Sequence, residues 1–290
     1  MDPHLLKEQL VTRPLSVFRI VAFLACVALV SVAPQFATTA SAQTAGDPGA
    51  LDPAEPDFYV INVPTTLRLP VNKGNFHLTH RFGGNLRDPN ADFGDKASNL
   101  FGLDQGAIIG FEYRHGVAPR LQAIVYRSSF EKTVEFSAKY DALHQGGSTP
   151  VSISGLLSVE GAINFKERRE PSLGFVVSRE VRDLLAVYAA PVWVHNSAAA
   201  ILQDRDTLFV GLGGRVRVGA TVYVTGEVTP RAAGYAPGDV EYGFGIEKRA
   251  GAHLFSVTFT NTFGTTPGQL ARGGSPQTLY LGFNLARKFF

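Results

Sequence analysis

Cysteine is all but missing. The one residue, Cys26, lies inside an apolar run near the N-terminus. A chain that begins after that run has no disulfide, no thiolate nucleophile and no cysteine metal site. Cys26 is preceded by Phe23-Leu24-Ala25 and followed by more apolar residues, Val27 to Val30, instead of a polar tether. Lipid attachment at Cys26 is therefore not expected. Long apolar helices are missing too. Beyond the N-terminal run the longest apolar stretch is Leu184 to Val194, broken by Pro191. A spanning helix needs roughly 20 apolar residues. Helical periodicity is nearly absent after Phe76. A charge excess of one sign is also missing. Residues 1–42 carry Lys7, Arg13, Arg19, Asp2 and Glu8, so the 27 basic and 25 acidic residues of the whole chain fall to 24 and 23 beyond them. Nucleic acid as a partner would favour a basic face, so it is not expected.

What is present begins with an export signal. Arg13 and Arg19 precede the apolar run Ile20 to Val32, and Ala40-Ser41-Ala42 follows it. A positive flank, a short apolar core and an A-x-A site read as a cleavable secretory signal peptide. Cleavage after Ala42 leaves 248 residues. The expected organisation is a signal peptide at 1–42, a periplasmic leader at 43–74 and one β domain at 75–290. The leader is read from Asp47-Pro48, Asp52-Pro53 and Glu55-Pro56, which favour extended chain.

The rest alternates. Phe255, Val257 and Phe259 are set against Ser256, Thr258 and Thr260; Leu279, Leu281, Phe283 and Leu285 are set against Thr278, Tyr280, Gly282 and Asn284. Val222, Val224 and Val228 alternate with Thr221, Tyr223, Thr225 and Glu227, and Tyr242, Phe244 and Ile246 with Glu241, Gly243, Gly245 and Glu247. Successive side chains of a strand face opposite sides. One purely apolar face and one polar face fit lipid outside and a lumen inside, although a soluble sandwich also alternates. Strand length and connections decide between them. About twelve segments are near or above the 9–11 residues that cross a bilayer as tilted strands, whereas soluble strands usually have about 5–6. Most long connections fall in alternate positions, and short turns fill the others, as in outer-membrane barrels. The expected fold is all-β: a transmembrane up-and-down antiparallel β-barrel of about twelve strands, in the outer membrane of a Gram-negative bacterium. Phe283, Leu285 and Phe289 continue one apolar register to the C-terminus, with Phe290 one residue beyond it. We read these four as the assembly signal, so the expected partners are outer-membrane lipid and the barrel assembly machinery.

Short segments along the whole domain carry a family resemblance. They include His80-Arg81-Phe82-Gly83, Phe101-Gly102-Leu103-Asp104-Gln105, Arg127-Ser128-Ser129-Phe130-Glu131-Lys132, Gly211-Leu212-Gly213-Gly214-Arg215 and Gly282-Phe283-Asn284-Leu285. In this order and spacing the chain resembles a family of bacterial β-barrel proteins known only as domain of unknown function 5777. The resemblance implies a barrel and no particular activity.

Charges at strand spacing mark candidate sites. Glu112 with Arg114, Arg215 with Arg217, Glu227 and Glu247 each lie opposite apolar neighbours. A basic residue on the lipid face near the midplane costs about 2–4 kcal/mol, so these six are expected to face the lumen. They could form a selectivity lining, or a network of paired charges filling a narrow interior. Arg81, Asp104, Glu131 and Lys132 are expected at one rim, as a polar-solute site or a salt-bridged latch. His77 and His80 are three apart and should point to opposite faces, which excludes a metal pair. His195-Asn196-Ser197 holds residue types a lipase needs, but neighbours in a strand diverge. Gly211-Leu212-Gly213-Gly214 reads as strand glycine for close backbone packing. No cofactor is expected. Three functions remain open: a conduit or scaffold for small polar solutes, an outer-membrane lipid hydrolase, and a structural or partner-binding barrel with a filled lumen. An enzyme is not the favoured reading.

Overall fold

A computed structural model describes residues 53–198, 206–235 and 238–289. The signal segment and Phe290 fall outside these residues. The strands, in chain order, are β1 (Gly74–Asn85), β2 (Ala107–Ala118), β3 (Leu121–Ser128), β4 (Val134–Leu143), β5 (Ser152–Gly161), β6 (Glu167–Val181) and β7 (Leu185–Val194). They continue with β8 (Thr207–Arg217), β9 (Val222–Thr229), β10 (Arg231–Gly234), β11 (Glu241–Ala250), β12 (His253–Thr260) and β13 (Tyr280–Phe289). β10 resumes β9 after Pro230, and both pair with β8. Twelve spanning strands therefore form one antiparallel sheet. No helix among the described residues is long and apolar enough to cross a membrane.

The sheet closes on itself. β1 pairs with β13, with Gly74 opposite Phe289, Leu78 opposite Leu285 and His80 opposite Phe283. Closure satisfies the backbone donors and acceptors that an open edge would leave bare in hydrocarbon. Both chain ends of the barrel lie at one end, here the terminal end; the long connections 86–106 and 261–279 lie at the far end. The last strand begins at Tyr280, later than the alternation suggests, because residues 261–279 form an inward-folded loop.

The alternation sets the facing. Phe111, Tyr113, Phe136, Leu157, Leu173, Ile246, Phe255 and Val257 are exposed on the outside. Their sequence neighbours Glu112, Arg114, Glu247, Ser256 and Thr258 are buried within. His77 is buried inside, whereas His80 stacks outside on Phe283 at 4.6 Å. Phe283 and Phe289 are exposed on the lipid face, with Leu285 in the same register. Asn284 looks inward and accepts from Arg81 Nη1 at 2.7 Å.

This facing gives a first test. Phe283→Asp should impair assembly much more than Asn284→Asp. The first removes about 1.5–3 kcal/mol of apolar burial and puts a charge in lipid. The second keeps an acceptor for Arg81 and adds a favourable charge. Heat-modifiable gel migration reads the folded fraction; equal loss in both variants would contradict the facing.

The interior is where sequence reading and structure part. Residues 54–69, expected as a leader outside the barrel, run up inside it from the terminal end. Ala54, Phe58, Val60, Ile61, Val63 and Leu69 are all buried. A reverse turn joins Tyr59 to Pro64 by an isolated bridge, closed by Val60 N–H to Val63 O and Thr65 N–H to Phe58 O. The far end is filled as well. The short helix Pro267–Ala271 folds inward, with Gly268 to Ala271 buried. Both insertions rest on small apolar patches of the wall. Val60 and Val63 pack with Val176, Ala186, Tyr188 and Ala190; Leu270 and Ala271 pack with Val192, Val194 and Phe209.

Candidate functional site

The site is the lumen wall and the hairpin it holds. A turn entering a lumen brings backbone donors and acceptors that need partners, since a buried unpaired one costs about 1–3 kcal/mol. The wall supplies them with charged side chains. At the hairpin tip the Glu227 carboxylate of β9 accepts N–H bonds from Ile61, Asn62 and Val63 at 2.8–3.0 Å. Asn62 also donates Nδ2–H to Glu241 at 3.2 Å, and Thr229 donates to the same carboxylate at 2.8 Å.

Lower down the wall donates instead. Arg215 Nη2 donates to Tyr59 O at 2.7 Å, and Tyr223 Oη to Pro53 O at 2.9 Å. Lys139 Nζ donates to Thr65 O and Leu67 O at 3.0 and 2.6 Å, and Lys288 Nζ to Pro56 O. The Tyr59 hydroxyl donates to Glu112 at 2.7 Å. Burial, reinforced by the Glu112 charge, pushes that phenol well above its usual range and keeps it protonated.

Three ion pairs stiffen the wall. Arg215 grips Glu247 in a bidentate pair at 2.6 and 3.1 Å. Arg114 meets Glu112 at 3.1 Å, and Lys139 meets Asp141 at 3.7 Å. Five of the six sequence-read lumen residues, Glu112, Arg114, Arg215, Glu227 and Glu247, are buried in this wall. Arg217 is not part of it. It lies at the β8–β9 turn and donates to the carbonyls of Gly219 and Ala220.

The expected rim cluster does not form. Arg81 is 1% exposed and lies within the lumen on Asn284 and Asn62. It shares the inward face of β1 with Asn75, His77 and Thr79. Asp104 and Lys132 are exposed. Only Glu131 is ion-paired, to Arg168 and to Arg272 at 3.0 Å. The far-end latch is a different set. Arg272 also meets Glu170 at 2.6 Å, and Glu160 accepts from Thr266 Oγ1 and Gly268 N, both at 2.8 Å. These partners come from loops and strands far apart in sequence, so no spacing announces them.

The inward glycines of β8 and β11 lie against the hairpin, not only against neighbouring strands. A Cβ at Gly213 would lie 3.0 Å from Val60 Cγ2, one at Gly211 3.0 Å from Val63 Cγ2, and one at Gly243 3.1 Å from Ile61 Cδ1. These positions are recesses for the hairpin. At Gly213 the new Cβ would be 3.4 Å from Val60 Cβ, close to the ~3.8 Å mean of disulfides. Val60→Cys with Gly213→Cys is therefore expected to form a disulfide quickly under mild oxidation, read by mobility on a non-reducing gel. Failure to close in a folded chain would contradict the seating of the hairpin.

His195 and Ser197 do not pair. His195 contacts Asp206 at 2.7 Å and stacks on Trp193, whereas buried Ser197 bonds Thr207 at 2.7 Å. No group of three or more metal-ligating side chains occurs among the described residues.

A family model described as a membrane bound beta barrel domain, DUF5777, matches residues 57–289. The matched span begins at Asp57 and so includes the hairpin. No curated protein matches the chain. Similar solved structures include a KdgM porin in complex with disordered oligogalacturonate, 11% identical, covering 76% of this chain and 100% of that one at a TM-score of 0.48. A NanC porin is 7% identical, covering 75% and 99% at 0.49. The COG4313 outer membrane channel from Pseudomonas putida F1 is 10% identical, covering 77% and 97% at 0.46. Likenesses at this level carry nothing about solute or mechanism.

Proposed function

The chain belongs to the DUF5777 family of membrane-bound β-barrel domains, and from that premise we propose that it is a gated conduit for small polar solutes in the outer membrane. The terminal end then faces the periplasm. The observation that carries the reading is how the hairpin is held. Its backbone bonds to charged wall side chains through Glu227, Arg215, Lys139 and Lys288. Each of those groups can exchange the hairpin for water. A barrel of twelve strands with such a wall, once vacated, is a polar passage. The same geometry supports a second reading, a permanently filled barrel, because the far-end helix also occupies the lumen. The hydrolase reading has no support at His195 and Ser197, which turn to different partners.

The Val60→Cys, Gly213→Cys chain separates the two. In a planar bilayer the oxidised form should be silent, and reduction should bring openings. Reduction touches nothing else once the expected signal cleavage has removed Cys26. Silence in both states of a folded chain would favour the filled barrel and sink the conduit. Equal conduction in both would mean that the path does not run through the hairpin. Release of fatty acid from added phospholipid would revive the hydrolase.

A further inference from the structure

The hairpin's contacts describe what could replace it. The Phe58 ring lies among cations from three strands: Arg114 Cζ at 4.5 Å, Lys288 Nζ at 5.6 Å and Lys139 Nζ at 5.7 Å from its centroid. A cation within about 6 Å of an aromatic face is attracted to it, and more strongly when both are desolvated. Phe58 is 1% exposed. Beside it the buried Asp57 carboxylate accepts from Phe58 N–H at 2.9 Å and lies within the electrostatic reach of Arg114, Arg215 and Lys288. Arg114, Arg215 and Lys139 each have a wall carboxylate in ion-pair contact. Lys288 has none among the described residues, and its polar contact is the hairpin's own Pro56 carbonyl. Glu112 and Glu135 crowd the Arg114 side, whereas on the Lys288 side the wall carboxylate is Glu247, already paired with Arg215. An aromatic ring and a carboxylate, adjacent and set among partly shared cations, thus fill the lower lumen.

We infer that the space filled by Asp57 and Phe58 is a binding site for a small aromatic carboxylate, its ring in the place of Phe58 and its carboxylate facing Lys288 and Arg215. The inference rests on the proposed departure of the hairpin. The ligand and the hairpin then compete for one cage: a solute that binds only the vacated barrel shifts the hairpin outward by mass action. An ammonium on the same ring would take the carboxylate's place beside Lys288 and Arg215 and be repelled there. A saturated ring keeps the charge contact but loses the π face.

The test uses the full chain carrying Val60→Cys and Gly213→Cys. The rate of disulfide closure is measured with benzoate, benzylammonium or cyclohexanecarboxylate present. Benzoate should slow closure several-fold, cyclohexanecarboxylate less, and benzylammonium not at all. Lys288→Gln should erase the difference between the acid and the amine. Because a tightly seated hairpin can mask a weak competitor, the series is repeated with Asp57→Asn and Phe58→Ala added. Benzoate should then act at lower concentration. Failure to discriminate benzoate from benzylammonium in both backgrounds overturns the site. Slowing by benzoate in a chain that stays silent when reduced keeps the site and sinks the conduit. Conduction on reduction with no response to benzoate does the reverse.

Discussion

Glu227→Ala is expected to free the hairpin tip while the barrel remains folded. The carboxylate is the partner of three backbone N–H groups, those of Ile61, Asn62 and Val63. Alanine leaves all three without an acceptor. At the low end of about 1 kcal/mol for each buried donor left unpaired, the tip loses roughly 3 kcal/mol. Every 1.4 kcal/mol is about a factor of ten, so amide exchange at residues 61–63 should rise on the order of a hundredfold. The base of the hairpin keeps Arg215, Lys139 and Lys288 and should exchange as before. Glu227→Gln keeps one acceptor oxygen and should fall between the two. Unchanged exchange at 61–63 in the alanine variant would mean that the carboxylate does not hold the tip.

Arg215→Leu should be among the most destabilising single changes in the wall. Arg215 is fully buried, grips Glu247 with two nitrogens and also holds Tyr59 O. Its loss strands a buried carboxylate, which typically costs about 3–5 kcal/mol. The double change Arg215→Leu with Glu247→Leu removes both charges, and apolar replacement of a whole buried pair is often close to neutral. The denaturant midpoint of the heat-modifiable band should therefore fall sharply in the single variant and recover in the double. Additive losses would show that the two side chains are not coupled.

Period two made most of the barrel legible. It gave the strands, the outward Phe283 and the inward Glu112, Arg114, Arg215, Glu227 and Glu247, because lipid and lumen sort side chains strictly. It did not give partners. Arg215 and Glu247 are 32 residues apart, on β8 and β11. The place of Arg81 near a strand end suggests a rim, but it continues the inward series His77, Thr79, Arg81. The hairpin was illegible for a physical reason. Its backbone is paired to wall side chains, not to a neighbouring strand, so it needs no alternation and reads as proline-rich leader. The trace it left is in the wall. Inward glycines at 211, 213 and 243 mark where another backbone approaches, a signal that strand glycine alone does not separate from sheet curvature.

The order of the chain sets a clock on the hairpin. It precedes β1, yet its tip is held from 164 to 166 residues later, by Glu227. Contacts of such separation form late, after the intervening loop has been closed. Strands β1 to β7 can pair as successive hairpins without it, but its seat is complete only when β8, β9, β11 and β13 have arrived. Newly inserted barrels should therefore pass through a stage that is closed as a sheet and still vacant inside. In a refolding time course, the gel shift of the folded barrel should come first and closure of the Val60→Cys, Gly213→Cys disulfide second.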